Sequence, residues 1–275
     1  WSLMHLPGNG FLGAPELNQV VLPNSSDIFR AQGQRLYAML GIAIINGNAV
    51  YTSGARIVSS NDGGKTWQYA DAALEASGQY ICDYRPTATG STLFAIAQNG
   101  SFCYDFPTST SYLWRSDDAG ATWTQVSQFP ALASNLAVVS RGASAPLLYA
   151  LPATPYNDGA GAGKGLSLFV SNDGGKTWNN APTKGIPGDA TQEQGPLATL
   201  SDGSVIVEWQ LPGETDTLLS LSPGASTWRS VVDHIAIGAG NVLVTTSQGA
   251  DTLWVIGQSE YQGPYTVSKF GKQNA

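Results

Sequence analysis

Charged residues are scarce in this chain of 275 residues. Only 12% of the residues are Asp, Glu, Lys or Arg, the net charge is −7, and the basic residues form no cluster. Nucleic-acid-binding proteins need a basic patch or stripe, so we expect no nucleic acid among the partners. The same shortage argues against binding to an anionic membrane surface.

Histidine, cysteine and long apolar runs are scarce as well. The histidines are His5 and His234, which are too few for a zinc site, and we expect no metal and no cofactor. No apolar run reaches the roughly 18 residues of a membrane span, so no membrane insertion is expected. A disulfide bond between Cys82 and Cys103 would suit a secreted protein, and two buried thiols are the alternative.

Three copies of one pattern, S-x-D-x-G-x-T-W, recur at a nearly constant interval. They occupy residues 60–67, 116–123 and 171–178, and their starts lie 56 and 55 residues apart. A shorter copy without the Asp occupies residues 222–228. A fixed period of this size is typical of a repeat architecture.

Each copy is predicted to be a tight turn between two strands, because an apolar run precedes it and a short mixed run follows its Trp. The Asp is expected to brace the turn by accepting hydrogen bonds from backbone N–H groups two residues on. The Gly two residues after the Asp is expected to have a positive φ, and the Trp is expected to bury its ring against the neighbouring sheet. The aspartates are Asp62, Asp118 and Asp173. The glycines are Gly64, Gly120 and Gly175. The tryptophans are Trp67, Trp123 and Trp178.

The pattern is the Asp box, and the chain resembles the Asp-box β-propellers, whose repeat is also called the bacterial neuraminidase repeat. That group includes sialidases, xyloglucan-cleaving hydrolases, sortilin-type receptors and photosystem assembly factors. Three full copies make the resemblance specific for the fold. It is far less specific for function, because the box sits in a structural hairpin throughout the group.

The predicted fold class is all-β, with one domain over residues 1–275. We expect a five-bladed β-propeller of four-stranded antiparallel blades, and a two-sheet sandwich is the alternative. The four full repeats are predicted at 27–69, 80–126, 135–180 and 196–231, with three further strands at 241–247, 252–257 and 265–270. Residues 1–8 resemble the segment after a box, so this N-terminal strand is expected to complete the last blade and close the ring. One helical turn is predicted at 71–76.

In a propeller, the turns between strands 1 and 2 and between strands 3 and 4 share one face, which the boxes therefore mark. Function is expected on the longer loops of the opposite face. These loops hold aromatic residues beside carboxylates, which suits sugar binding because rings face C–H surfaces and carboxylates accept hydroxyl protons. The candidate binding residues are Tyr104, Asp105, Tyr156, Asp158, Glu208, Trp209, Glu260 and Tyr261. The loops and linkers of this face also hold further ionisable residues: Asp71, Glu75, Asp189, Glu193, Glu214, Asp216, Asp233 and His234.

The positions of the arginines can be compared with those of sialidases, which bind a substrate carboxylate through three arginines. The first of these lies in an Arg-Ile-Pro motif, and this chain has no such motif. Arg30, Arg85 and Arg141 fall at matching places, but at the end of strand 1 on the box face, so packing between blades is preferred. Asp83 lies two residues before Arg85, so a side-chain pair between them is geometrically feasible.

Three functions fit the sequence. We expect a secreted or cell-surface module that binds a carbohydrate or a protein partner, because the scaffold is clear and no catalytic signature accompanies it. A glycoside hydrolase is the first alternative, and it would need two loop-face carboxylates ~5–10 Å apart across a cleft. A structural or assembly subunit is the second alternative.

Overall fold

Strands make up most of the described chain. The computed structural model describes residues 28–30, 35–40, 43–45, 48–50, 56–63, 66–87, 91–99, 109–153, 168–187, 191–211, 215–235, 238–247, 250–258 and 265–271. These residues contain 21 strands and one helix of four residues, so the all-β prediction is confirmed. The chain divides into two compact units, residues 1–132 and 133–275.

Unit 1 contains two four-stranded antiparallel sheets. Its strands are β1 (Ile28–Arg30), β2 (Leu36–Leu40), β3 (Ala43–Ile45), β4 (Asn48–Val50), β5 (Arg56–Ser60), β6 (Gln68–Tyr69), β7 (Tyr80–Pro86), β8 (Leu93–Gln98), β9 (Ser111–Ser116) and β10 (Thr124–Gln128). Sheet 1 has the order β1-β2-β5-β6, and sheet 2 has the order β10-β9-β8-β7. Helix α1 (Ala72–Glu75) lies in the linker between the sheets, where a helical turn was expected.

The hairpin β3–β4 corrects one prediction. Within the first repeat, the sequence predicts a loop over residues 41–49 and one strand over 50–59, whereas Ile45 pairs with Asn48 and β5 begins only at Arg56. The residues between β3 and β4 are Asn46-Gly47, the pair that most favours a two-residue hairpin connection. The pair Asn46-Gly47 therefore favours a hairpin in this part of the sequence rather than a loop.

Unit 2 contains two four-stranded sheets and a three-stranded sheet, all antiparallel. Its strands are β11 (Ala133–Arg141), β12 (Ser144–Pro152), β13 (Phe169–Ser171), β14 (Asn179–Asn180), β15 (Thr191–Thr199), β16 (Val205–Leu211), β17 (Thr215–Leu221), β18 (Arg229–Ile235), β19 (Gly238–Ser247), β20 (Ala250–Gln258) and β21 (Tyr265–Gly271). Sheet 3 is β11-β12-β13-β14, sheet 4 is β15-β16-β17-β18 and sheet 5 is β19-β20-β21. The first strands of consecutive sheets contact each other, β11 with β15 and β15 with β19.

The order of strands within the four full repeats is as predicted from the box spacing. The three trailing strands form sheet 5, also as predicted, and residues 1–8, the expected fourth strand, lie outside the described residues. Strand β15 begins at Thr191 rather than at 196, because its pairing with β16 shifts between Gln192 and Leu197. Such an irregularity lets a strand continue past residues that do not pair.

The apolar core of each unit lies between its sheets. In unit 1, Tyr37 of sheet 1 and Tyr84 and Leu93 of sheet 2 are fully buried in one cluster. In unit 2, Tyr149 of sheet 3 and Val207 of sheet 4 belong to the corresponding cluster. Burying a large apolar side chain contributes about 1.5–3 kcal/mol relative to leaving it exposed, so these clusters hold neighbouring sheets together.

Two box tryptophans also attach their sheet to the sheet before it. The Trp123 indole Nε1–H donates to the carbonyl oxygen of Ala70 at 2.8 Å, immediately after β6. The Trp228 Nε1–H donates to the carbonyl oxygen of Pro182 at 2.7 Å, shortly after β14. Both rings are buried, as expected of indoles packed against a neighbouring sheet.

Gly120 allows the second box to approach sheet 1 closely, and replacing it tests this contact. Its φ is +92°, and a Cβ there would overlap the carbonyl oxygen and the Cβ of Ala70. We expect Gly120→Ala to lower the free energy of unfolding by about 1–2 kcal/mol for the positive φ, and by about 1–3 kcal/mol more for the overlap.

Gly142→Ala is the matched control. Gly142 also has positive φ, +62°, but a Cβ there would meet no atom within 4 Å. Urea unfolding should therefore show a clearly smaller loss for this variant. Equal losses for the two variants would show that the approach to Ala70 contributes nothing.

Candidate functional site

Each four-stranded sheet has two chemically different ends. In sheets 1 to 3, the second residue of the box bonds to a residue at the turn between strands 1 and 2. Arg35 Nε donates to Asn61 Oδ1 at 2.7 Å, and Arg141 Nη2 donates to Asn172 Oδ1 at 3.4 Å. The two turns therefore share one end of the sheet, as predicted. We call this the box end and the opposite one the loop end.

The box aspartates accept hydrogen bonds from residues of their own turns. Asp118 Oδ1 accepts from Ser116 Oγ and from the Thr122 N–H, both at 2.8 Å, and Asp118 Oδ2 accepts from Thr122 Oγ1 at 2.6 Å. Asp173 makes the same three bonds with Ser171 and Thr177 at 2.7–3.0 Å. The first box repeats the pattern around Asp62.

The donor to these aspartates differs from the expectation. It is the N–H of the Thr four residues on, whereas the N–H two residues on was expected. The serine completes the turn, because Ser116 Oγ also accepts from the Gly120 N–H at 2.8 Å. Gly120 and Gly175 have φ near +90°, as expected. The box is therefore wider than an ordinary Asx turn, with the Thr reaching back across it.

These hydrogen bonds lower the pKa of the box aspartates. The bonds from Thr122, followed by the bond from Ser116, lower the pKa of Asp118 to about 2. The pKa of Asp173 is also about 2, where burial acts in the opposite direction and the bonds from Thr177 and Ser171 outweigh it. Carboxyl groups of this kind are ionised at neutral pH and are poorly suited to donate a proton in catalysis.

The degenerate fourth box keeps the turn without the aspartate. Ser222 Oγ accepts from Ser204 Oγ at 3.1 Å, and the Ala225 N–H donates to the Ser222 carbonyl oxygen. The Trp228 N–H donates to the Lys184 carbonyl oxygen at 2.8 Å, in addition to the indole bond. Contacts with sheet 3 thus support a turn that has lost its internal brace.

Two of the predicted binding residues, Glu208 and Trp209, lie inside strand β16 rather than in a loop. Each is only 2% exposed. The Trp209 ring packs edge-to-face against the Trp228 ring at 6.2 Å in the core between sheets 3 and 4. The sequence predicts a strand over residues 205–210, and β16 confirms it and extends to Leu211. The role of these two residues in binding stays a prediction.

The other predicted binding residues lie outside the described residues: Tyr104, Asp105, Tyr156, Asp158, Glu260 and Tyr261. Their role stays a prediction. Cys82 on β7 is disulfide-bonded. Its predicted partner, Cys103, is also outside the described residues.

At the loop end of sheet 1, the structure brings together four residues that we call the Arg56 cluster: Arg56, Tyr69, Asp71 and Glu75. Arg56 Nη2 and Nε donate to Asp71 at 2.9–3.2 Å, and Arg56 Nη1 lies 2.8 Å from Glu75 Oε1. The Arg56 guanidinium carbon lies 4.2 Å from the centre of the Tyr69 ring, a cation–π contact. Planar stacking and forked donation are both specific to arginine.

The two carboxylates of this cluster differ in their exposure to solvent. Asp71 is fully buried and also accepts from the Ile57 N–H at 2.6 Å, whereas the Glu75 side chain is 56% exposed. Burial raises the pKa of Asp71, and the hydrogen bonds from Arg56 and the Ile57 N–H oppose this rise. Asp71 therefore holds Arg56 in place, and Glu75 is the carboxylate that solvent can reach.

The sequence pointed to Asp71 and Glu75 as loop-face carboxylates but did not single out Arg56. The signal that could have found it is a charged residue opening an otherwise apolar strand. Short strands seldom begin with an unpaired arginine beside buried positions, because a buried charge needs a partner. The partner here comes from the linker after β6, 15 residues along the chain.

Two of the three arginines at the ends of first strands, Arg85 and Arg141, make bonds within their own sheets, and the side chain of Arg30 lies outside the described part of the chain. Arg85 Nη1 lies 2.5 Å from Asp83 Oδ1, so the expected pair is confirmed. Arg141 bonds to the box of sheet 3, as noted for Asn172. Packing of these arginines between blades stays a prediction. Neither arginine lies at the loop end, where the candidate binding residues were sought.

Within the described part of the chain, no three His, Cys, Asp or Glu side chains are grouped so that they could hold a metal ion. The single described helix has four residues and is too short to cross a membrane.

Comparison with known proteins identifies the repeat. The profile of the BNR/Asp-box repeat matches residues 169–180, which comprise β13, the third box and β14. Comparison with curated protein sequences gives no match. The resemblance to Asp-box β-propellers is confirmed.

Solved structures of similar fold support the same conclusion. YCF48 from Cyanidioschyzon merolae is 15% identical with a TM-score of 0.50, covering 87% of this chain and 67% of that one. A protein of unknown function from Dyadobacter fermentans is 12% identical with a TM-score of 0.56, covering 89% and 78%. Trypanosoma rangeli sialidase is 14% identical with a TM-score of 0.54, covering 88% of this chain but only 45% of its own. At these identities the likeness concerns the fold alone.

Replacing a box aspartate tests the brace through its pH dependence. Asp118 has a pKa of about 2 when folded, below the ordinary value of 3.8, so its contribution to stability is present above about pH 4. It is lost as the pH falls towards 2. We expect Asp118→Asn to be less stable than the unmodified chain at pH 7 and the difference to shrink as the pH falls, measured by urea unfolding at pH 2 to 7.

Asp117→Asn serves as the control for this experiment. The neighbouring Asp117 pairs with Arg115 at 2.7 Å on the surface, and exposed pairs contribute little. This variant should be close to the unmodified chain in stability at pH 7. A difference for Asp118→Asn that does not depend on pH would contradict the ionised brace.

Proposed function

We propose that this chain is a non-catalytic β-propeller module that binds a carbohydrate at the loop ends of its sheets. The observation that carries the proposal is the Arg56 cluster. It offers the ligand-accessible carboxylate of Glu75, the donors of Arg56 and the edge of the Tyr69 ring at one loop end. Sugar hydroxyls both donate and accept, so such a mixture of donors, acceptors and aromatic carbon suits them.

The state of the carboxylates favours binding over hydrolysis. Glycoside hydrolysis uses two carboxyl groups that face the same bond. In the Arg56 cluster, Asp71 is fully buried and bound by Arg56, so only Glu75 can reach a ligand. The box aspartates are engaged at the opposite end. The sialidase likeness, at 14% identity, supports the fold and adds no argument for catalysis.

We also propose an extracellular or cell-surface location. The support is the disulfide bond at Cys82, because such bonds form and persist in oxidising compartments. The predicted partner, Cys103, precedes Tyr104 and Asp105 directly. A bond between the two cysteines would tie these candidate binding residues to β7.

Finally, we propose five blades, with residues 1–8 adding the fourth strand to sheet 5. Four sheets of four strands and one of three make a set that lacks one strand. Strand β21 pairs with β20 over seven residues, and a strand of that length at the end of a sheet has a second row of backbone groups to satisfy. The N-terminal segment resembles a post-box strand in sequence and could satisfy them.

The binding proposal is tested with a glycan array and a pair of variants. The unmodified chain should bind one class of glycan, and Glu75→Ala should weaken this binding roughly tenfold, the effect of losing a charged hydrogen-bonding group. Asp117→Ala, an exposed carboxylate at the box end, should leave it unchanged. Failure to bind any glycan, or equal losses for both variants, would contradict the proposal.

The ring proposal is tested by removing residues 1–8. Loss of a blade strand should lower the Tm by roughly 5–10 °C, because each 1 kcal/mol shifts the Tm of a domain of this size by roughly 2–4 °C. A synthetic peptide of residues 1–8 added to the shortened chain should restore part of the loss, and a scrambled peptide should not. An unchanged Tm would show that the segment closes no sheet.

A further inference from the structure

A small cavity lies at the box end of sheet 1, away from the Arg56 cluster. Its volume is about 200 Å³, and its lining residues are Ser59, Asn61, Asp62, Thr66, Trp67 and Gln68. Sites for drug-sized ligands have volumes of roughly 300–1,000 Å³, so this cavity suits a smaller molecule such as a single sugar ring.

One cross-strand row beside the cavity differs between the boxes. In sheet 1, Ser59 on β5 lies between Tyr37 on β2 and Gln68 on β6. The corresponding row of sheet 2 contains Arg115, whose guanidinium lies 5.6 Å above the Phe94 ring. A serine fills far less space than an arginine in this row.

Sheet 3 shows the same row with a different filling. Val170 stands there between Tyr149 and Asn179, and it packs against the core between sheets 3 and 4. The third box otherwise repeats the first, with Asn172, Asp173 and Thr177 in place of Asn61, Asp62 and Thr66. Sheet 3 therefore carries the same turn with a larger, apolar side chain in this row.

The polar groups of the cavity include uncommitted donors. Arg35 Nε donates to Asn61 Oδ1 at 2.7 Å, which orients the amide and leaves its two Nδ2 hydrogens for another acceptor. Gln68 is exposed and brings a second amide, with one acceptor and two donors. Trp67, which is 8% exposed, adds aromatic surface.

Asp62 is the one ionisable residue among the six described lining residues, and its two oxygens accept from Ser60, the Thr66 N–H and Thr66 Oγ1. The other five described lining residues are uncharged, so amides, hydroxyls and an indole make up most of this surface.

We propose that this cavity is a second binding site, which takes a hydroxyl-rich ligand of the size of one monosaccharide. The amides of Asn61 and Gln68 bind its hydroxyl groups, and Trp67 contacts its C–H surface. The site is independent of the loop ends, where the proposed function places the principal ligand.

Saturation-transfer NMR with D-glucose, D-galactose, D-mannose and L-arabinose tests the site directly. At least one sugar should give a saturable signal with the unmodified chain. Ser59→Val, which introduces the residue that sheet 3 carries in this row, should abolish the signal by filling the cavity. Gln68→Ala should weaken binding about fivefold to tenfold, the effect of losing one hydrogen-bonding group.

The third box provides matched controls. Asn61→Ala should weaken the sugar signal, whereas Asn172→Ala, which loses the same kind of bond to an arginine, should leave it unchanged. The near-UV circular dichroism of the tryptophans should be unaltered in Ser59→Val, which separates loss of binding from loss of fold.

The outcomes also separate this site from the loop-end proposal. A signal that survives Ser59→Val and disappears in Glu75→Ala would overturn the cavity site while supporting the loop-end site. No saturable signal from any of the four sugars would overturn it as well. A signal lost in Ser59→Val and kept in Glu75→Ala would establish it, whatever the glycan array shows.

Discussion

The structure depends on the internal hydrogen bonding of the Asp box. Serine, aspartate and threonine satisfy one another and the turn backbone, so the box keeps its shape in an exposed position. A rigid turn fixes the direction in which the following tryptophan leaves it. In sheet 2 that direction carries the indole N–H to the carbonyl oxygen of Ala70 in sheet 1. The carbonyl oxygen of the buried residue Ala70 thereby gains a hydrogen-bond donor, and the bond joins two sheets.

The box aspartates stabilise their own turns, so the groups that shape the scaffold differ from those proposed to bind a ligand. Carboxylates that accept three hydrogen bonds at the box end are not available for catalysis or for a metal ion. At the loop end of sheet 1, a different arrangement joins β5 to the linker after β6. There Asp71 is buried to hold Arg56, and Glu75 is left in contact with solvent. A fixed arginine beside an accessible carboxylate is what a binding surface needs if its groups are to be placed before the ligand arrives.

Repetition makes the differences between sheets informative. Because the boxes of sheets 1 and 3 share nearly every residue, the exchange of Val170 for Ser59 stands out as a local change in packing. Likewise, the fourth box has no aspartate, and Lys184 and Pro182, in the linker after β14, accept hydrogen bonds from Trp228. One scaffold thus tolerates different residues at equivalent positions of its repeats.

The sequence by itself determined the strand order within each repeat and the position of every box, and it showed that pairing of Asp83 with Arg85 is geometrically feasible. These features are local: periodicity, turn residues and neighbours two apart on one strand specify them. It did not show that the box threonine, four residues after the aspartate, is the main donor, nor that the Glu208 and Trp209 side chains on β16 are buried, because burial depends on how the rest of the fold covers a strand. The Arg56 cluster, the docking of Trp123 on Ala70 and the cavity beside Ser59 were decided by tertiary structure alone. Each joins residues from different strands or linkers, and a contact between distant parts of the chain depends on how the sheets pack, which no local pattern encodes.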